Sequence, residues 1–267
     1  LEVCPQNAKT FVSDLDRVRA FIAEEKKTVV SLAPAYLGIL DYEKPGQVVD
    51  ALLKLGFSEV RETAEGAAYV TESYTKLLEA GQMKNIISTC CPSVNELVEK
   101  YYPELVEDMA PVVSPMVAHG KLIKAMYGPD VKVVFIGPCI AKKQEAEGDD
   151  RTTGFVDAVL NFEEVESWLQ ERDISIRECE EKQPANPDPK VNRLYPVTSG
   201  VISSVLAKKK VDSYKKIFVD GIEDCREVFE DMKKGLIEGC FIEANMCEGG
   251  CVKGPAVNKL HISKYKA

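Results

Sequence analysis

With 267 residues, 45% hydrophobic side chains and a net charge of −9, the chain can bury a substantial core as one large domain or two lobes. The acidic balance excludes nucleic acid as the main partner, because phosphate binding needs a basic face, and the lysines at 208–210 read as a solvated helix end. No apolar stretch approaches a membrane span and no signal peptide precedes the first cysteine motif, so a cytoplasmic location is expected.

The chain opens on Leu1, and Cys4-Pro5 looks like the tail of a ferredoxin-type cysteine run, whose last cysteine precedes proline. Residues 1–25 are therefore expected to be a remnant of an upstream ferredoxin-like domain with a lead-in. Residues 28–32 are β-branched and apolar and predict a strand; 48–55 has helical periodicity, and 62–78 continues as a helix. A strand at 85–88 runs into Ser88-Thr89-Cys90-Cys91-Pro92, which opens a helix-like stretch. A helix over 115–127 is followed by a strand at 131–136 that ends at Gly137-Pro138-Cys139. The second half repeats the alternation, with a strand at 155–160 and a helix at 163–172 whose Trp168 fits the apolar face. The stretch 180–190 is acidic, carries three prolines and reads as a loop between halves or an insertion. A helix at 203–209, a strand at 216–219, a helix at 223–234 and a strand at 240–243 lead into Asn245-Met246-Cys247-Glu248-Gly249-Gly250-Cys251. Alternation of this kind predicts an α/β fold of parallel sheets with helices outside.

Nine cysteines is a high, odd number, and their spacing suits metal binding better than a disulfide framework. Three cysteine motifs directly follow three apolar strands, and ligands of open α/β folds collect where such strand ends converge. Pro92 and Pro138 suit the first turn of a following helix, whose N-terminus would favour the thiolates of Cys91 and Cys139. Gly249 and Gly250 let the backbone between Cys247 and Cys251 wrap closely around a bulky ligand. Each motif alone is compatible with a buried thiol at a turn; three at successive strand ends point to a thiolate-ligated iron–sulfur site. Zinc held by four thiolates is the weaker alternative, because the C-x2-C knuckles of such sites are missing.

These motifs resemble those of the catalytic domain of FeFe hydrogenases, in order and over about residues 29–255. The signature T-S-C-C-P is similar to Ser88-Thr89-Cys90-Cys91-Pro92, and Tyr101-Tyr102-Pro103-Glu104-Leu105 also matches. The signature M-P-C-x-x-K-x-x-E resembles Gly137-Pro138-Cys139 with Lys142 and Glu145, and E-x-M-x-C-x-x-G-C resembles the run from Glu243 to Cys251. Ala33-Pro34 resembles the segment that caps the family's diiron unit. The resemblance implies two lobes, approximately 26–147 and 148–267, with the site in the cleft between them. It implies that Cys91, Cys139, Cys247 and Cys251 hold a 4Fe–4S cluster. Cys251 would bridge to a diiron subsite carrying CO, cyanide and a bridging dithiolate, the assembly called the H-cluster. Lys142 would reach a cyanide ligand, with Glu145 in the same motif, and Cys90 would relay protons to the bridging amine. Pro138, Asn245 and Met246 would line the cofactor, and Glu72 stands for the pathway glutamate. Expected partners are hydrogen, protons, iron–sulfur electron-transfer domains or a ferredoxin, and hydrogenase maturation proteins.

The departures matter as much. Ala110 stands where the family's proton path has a serine, Met116 where it has a glutamine, and Ala35 where a serine follows the Ala-Pro pair. Gly137 replaces a methionine, Asn245 replaces another with Met246 displaced by one, and the tail after Cys251 is short. A proton chain without a hydroxyl lacks a donor and acceptor there, which predicts slow reversible 2H⁺ + 2e⁻ ⇌ H₂; the departures together resemble those of divergent, sensory FeFe hydrogenases, which implies a hydrogen-sensing role. The alternative is a non-catalytic assembly or carrier protein holding a 4Fe–4S cluster without a diiron site.

Overall fold

In the computed structural model, which describes residues 10–148 and 152–257, the apolar runs form seven parallel strands. They are β1 (Thr28–Leu32), β2 (Glu59–Glu62), β3 (Ile86–Ile87), β4 (Lys132–Gly137), β5 (Ala158–Asn161), β6 (Lys215–Asp220) and β7 (Cys240–Asn245). Ten helices intervene: α1 (Leu15–Ala23), α2 (Tyr36–Ile39), α3 (Gly46–Lys54), α4 (Ala64–Ala80), α5 (Pro92–Tyr101), α6 (Pro115–Tyr127), α7 (Ala141–Glu147), α8 (Phe162–Glu171), α9 (Gly200–Lys208) and α10 (Ile222–Lys233). Cys4 lies outside the described residues. Among them, no helix is long and apolar enough to cross a membrane.

The strands build two sheets, one ordered β2-β1-β4-β5 and the other β3-β7-β6. Side chains alternate across a strand, so each sheet feeds two cores. Val30, Leu32, Val134 and Ile136 pack with α3 and α8, while Val29, Val133 and Phe135 face α6. In the second sheet Ile86 and Phe241 meet α4 and α9, and Ile87 and Ile242 meet α5 and α10. Both sheets are thus covered on both faces, which explains why their inner strands read as unbroken apolar runs. Trp168 packs edge-to-face on Phe57 in the first of these cores. Strand membership crosses the expected lobe boundary near 147: β3 belongs to the second sheet, and β5 belongs to the first.

One expectation needs correction, and one gains detail. The helix read from 62 begins at Ala64; Glu62 ends β2, a four-residue strand that periodicity missed. Its charges mask it, because buried Arg61 pairs with Glu59 and Glu65, and fully buried Glu62 pairs with Arg193. The acidic stretch at 180–190 is a strap along the first sheet. Ala185 N–H donates to Val60 O, Glu62 N–H to Asn186 Oδ1, and Lys182 N–H to Gly46 O.

Candidate metal centre

The C-terminal ends of β3, β4 and β7 deliver the three motifs from both sheets to one place. Cys91 is the N-cap of α5 with Pro92 at its first position, and its carbonyl accepts from Val94 and Asn95 N–H. Pro138 departs from its expected place, since α7 begins only at Ala141. Between Cys247 and Cys251 the backbone turns on Gly250, with φ +83°; a Cβ there would lie 2.5 Å from Pro196 O. Only glycine accepts that conformation without strain.

Cys91, Cys139, Cys247 and Cys251 form no disulfide among the described residues and keep some exposed surface. Burial and the neighbouring Cys91 push the Cys139 thiol up to about 11. Burial followed by Cys139, Cys91 and Cys247 raises Cys251 well above the ordinary thiol range. The influence of Cys91 on Cys139, and of Cys91, Cys139 and Cys247 on Cys251, goes with four thiols gathered near one another. Among the described residues, no three His, Cys, Asp or Glu side chains close tightly enough on one point to hold a single ion. Four thiolates on zinc would sit roughly 4 Å from one another, given bonds of about 2.3 Å. This donor set suits a wider inorganic core, and its soft anionic sulfurs fit iron–sulfur chemistry.

Adjacent Cys90 diverges from Cys91. Its side chain packs with Tyr74, Ala110 and Phe241, whereas Cys91 packs with Ile87, Val94 and Met246. Cys90 Sγ lies 3.4 Å from the fully buried Tyr74 hydroxyl, and burial pushes its thiol up to about 12 despite that contact. Lys142 is buried; its Nζ donates to Cys90 O at 3.1 Å and pairs with Glu145 Oε2 at 2.5 Å. Burial works against its charge, but Glu145 and the thiols Cys139 and Cys90 outweigh it and raise its pKa. A buried ammonium against the thiol motif suits an anionic ligand.

The remaining expected residues are placed less uniformly. Ala33 is buried and continues the β1–β4 ladder through Ala33 N–H to Ile136 O, with Pro34 next in chain. Asn245 is buried and its Nδ2 donates to Glu243 Oε1 at 3.4 Å. Glu72 lies on the solvent side of α4, where bonds from Lys208 and then Lys76 hold its carboxyl below the usual range. No described contact joins Glu72 to the cysteines. The substitution at Gly137 has a local cause: a Cβ there would meet the Phe135 ring at 2.7 Å and Ala33 Cβ at 2.9 Å. Ala110 N–H donates to Ile87 O, and Ala110 O accepts from Thr89 Oγ1 at 3.3 Å. A cavity of about 700 Å³ opens beside them, lined by Thr89, Asn95, Glu96, Ala110 and Glu145.

Two neighbours escaped the sequence reading. Tyr74 accepts from Thr89 N–H at 2.9 Å and reaches both Thr89 Oγ1 and Cys90 Sγ. Glu243 is buried beneath α9 and accepts from Ile202 N–H at 2.9 Å; burial pushes its carboxyl up to about 7. Glu243 had a signal, since it is the first residue of the third motif. Tyr74 had none, because a tyrosine on a helix reads as packing.

The chain matches the family described as "Iron only hydrogenase large subunit, C-terminal domain" over residues 26–255. It is 28% identical to iron hydrogenase 1 of Clostridium pasteurianum, over 98% of this chain and 57% of that protein. It is also 28% identical to the periplasmic Fe hydrogenase large subunit of Nitratidesulfovibrio vulgaris, over 78% of this chain and 61% of that one. The chain therefore spans a little more than half the length of these relatives. Among solved structures, a variant of the FeFe-hydrogenase HydA1 from Chlamydomonas reinhardtii shares the fold, with TM-score 0.77, 20% identity and coverage of 96% of this chain and 87% of that one. The match over residues 26–255 makes this chain a member of the family formed by the C-terminal domains of iron-only hydrogenase large subunits.

Proposed function

We propose that this chain is a hydrogen-converting domain, running 2H⁺ + 2e⁻ ⇌ H₂ slowly and serving as a hydrogen sensor within a larger iron–sulfur protein. In this reading Cys91, Cys139, Cys247 and Cys251 would hold a 4Fe–4S cluster, and Cys251 would also attach a diiron subsite carrying CO, cyanide and a dithiolate. When bound, that subsite supplies the open iron at which hydrogen is formed or split. The protein's own residues do the rest. Lys142, kept charged by Glu145, fixes an anionic ligand, and Ala33 and Pro34 cover it. Cys90, a high-pKa thiol held by Tyr74, keeps its proton and hands it on at a set position. Glu72 stays outside this set, at the surface.

The observation that carries the reading is the buried Lys142–Glu145 pair bonded to the backbone of Cys90. A cubane alone needs neither the ammonium nor a second thiol beside Cys91. Slow turnover is supported by Ala110, whose methyl offers no hydroxyl next to Thr89. Electrons would come from iron–sulfur domains or a ferredoxin, and the diiron unit from hydrogenase maturation proteins. A cytoplasmic, reducing setting would keep these cysteines available as ligands.

Infrared spectroscopy after loading with a synthetic diiron complex tests this directly. CO and cyanide bands are expected, whereas a cubane without such bands would favour the assembly or carrier reading. Cys90→Ala should leave the bands in place and lower hydrogen turnover by roughly a hundredfold, a typical general acid–base contribution. Full activity in that variant would remove Cys90 from the proton route.

A further inference from the structure

Strand β6 is the outer strand of the second sheet, and among the described residues no strand pairs with its far side. Such edges are ordinarily shielded by a bulge, a proline, a very short strand or a covering segment. Among the described residues β6 has neither bulge nor proline and pairs with β7 without interruption from Lys215↔Cys240 to Asp220↔Asn245; its protection is edge charge alone, at Lys215, Lys216 and Asp220. Its side chains are exposed or half-buried throughout, with Phe218 at 56% exposure, whereas β7 is buried at every position.

The direction of its backbone groups follows from two bonds. Lys215 N–H donates to Gly239 O and Gly221 N–H to Asn245 O, so the odd-numbered residues turn toward β7. Backbone groups alternate along a strand, which leaves the N–H and C=O of Lys216, Phe218 and Asp220 facing outward.

We propose that β6 pairs antiparallel with β6 of a second copy of this chain, about a two-fold axis at Phe218, joining the two second sheets into one. In this register Phe218 faces Phe218 of the second copy, Lys216 faces Asp220, and Ile217 faces Val219. All the outward backbone groups of the strand then find partners, aromatic meets aromatic, and opposite charges meet on the same face. The strand is self-complementary, as an isologous interface requires. Centring the axis on Ile217 instead would set Lys216 against Phe218 and leave Asp220 beyond the paired strand. Within the chain Lys216 Nζ already donates to Val211 O, and Asp220 accepts from Thr198 Oγ1. An ammonium has three donors and a carboxylate about four acceptor positions, so both retain capacity for the cross-strand pair.

Sedimentation over a wide concentration range should show a reversible dimer of the chain. Phe218→Glu sets two carboxylates against each other at the axis and should raise the dissociation constant roughly tenfold or more. Because Phe218 is exposed, the fold should persist. Lys216→Asp should weaken the dimer similarly, and adding Asp220→Lys should restore it by exchanging the two charges. Hydrogen exchange at the amides of 216, 218 and 220 should slow as concentration rises, while 217 and 219 stay protected throughout. A chain that stays monomeric, a dimer indifferent to Phe218→Glu, or even-numbered amides protected at every concentration would each overturn the proposal. The last outcome would mean that the chain covers its own edge.

Discussion

The first sheet has four strands, helices on both faces and a strap along its β2 edge; the second has three strands, helices on both faces and a β6 edge that no strand covers among the described residues. They also differ in what they bring to the junction. The second sheet's strands β3 and β7 lead to Cys91, Cys247 and Cys251, while the first contributes Cys139 with Lys142 and Glu145. The first sheet further carries buried charge, and that charge is used to tie the sheets together. Glu62 of β2 receives both Arg193 Nε at 2.8 Å and Nη2 at 2.7 Å, and Arg193 sits in the short turn at Lys190–Leu194 that leads to α9 of the second sheet. A site assembled from two sheets needs their relative position held, and the ion pair and strap hold it from the side with the most strand ends to anchor.

The largest expected effect tests whether unequal contributions matter equally. Cys139→Ala, from the first sheet, should impair 4Fe–4S reconstitution as completely as Cys91→Ala or Cys247→Ala from the second, because each removes one of the four proposed ligands. Iron and sulfide analysis with visible spectra checks this. Intact cluster content in Cys139→Ala would show that the second sheet alone suffices.

Next comes the tie itself. Glu62→Ala removes two charge-assisted hydrogen bonds from Arg193, which stays one-third exposed and paired with Asp188, and should destabilise the chain by about 2 kcal/mol in urea unfolding. An effect near zero would mean that the strap's backbone bonds alone hold the sheets.

Acid should weaken the first sheet before the second. His119 is fully buried between Ser31 and Glu65, at 2.8 Å and 3.1 Å, and burial lowers its pKa. A histidine kept neutral in the fold costs stability as pH falls below its unfolded value near 6.5. Glu65 is held down at about 2 by His119 and Arg61, which outweigh its burial. Its contribution is present above pH 4.5 and is lost as pH falls toward 2, for up to about 3 kcal/mol. Both shifts act in the same direction, while Glu243 of the second sheet, raised to about 7, opposes them between pH 7 and 4.5, so unfolding midpoints should fall steadily below about pH 4.5. A midpoint that rises as pH drops below 4.5 would show that this network is not a source of stability.

The smallest effect concerns Gly137. Gly137→Ala presses on the Phe135 ring and Ala33 Cβ and should cost about 1 kcal/mol, within the usual range for overpacking. A neutral result would show that the Phe135 ring swings aside freely.

Much of this architecture is legible in local residue order. Apolar runs at 28–32, 131–136 and 240–243 mark strands because buried parallel strands need little else, and Cys91-Pro92 announces a helix start because proline's missing N–H costs nothing there. The order and neighbourhoods of the cysteine motifs carry the resemblance to the family that the match over residues 26–255 shows. Tertiary structure decided what depends on partners distant in chain. β2 exists as a strand because Arg193, 131 residues beyond Glu62, neutralises a charge that local pattern reads as helical. Cys90 and Cys91 part into separate cores because α4 supplies Tyr74 to one and α5 supplies Val94 to the other. The exposed β6 edge has the same origin: whether a strand has a neighbour is settled by the order of strands in the sheet, which residue pattern along that strand does not encode.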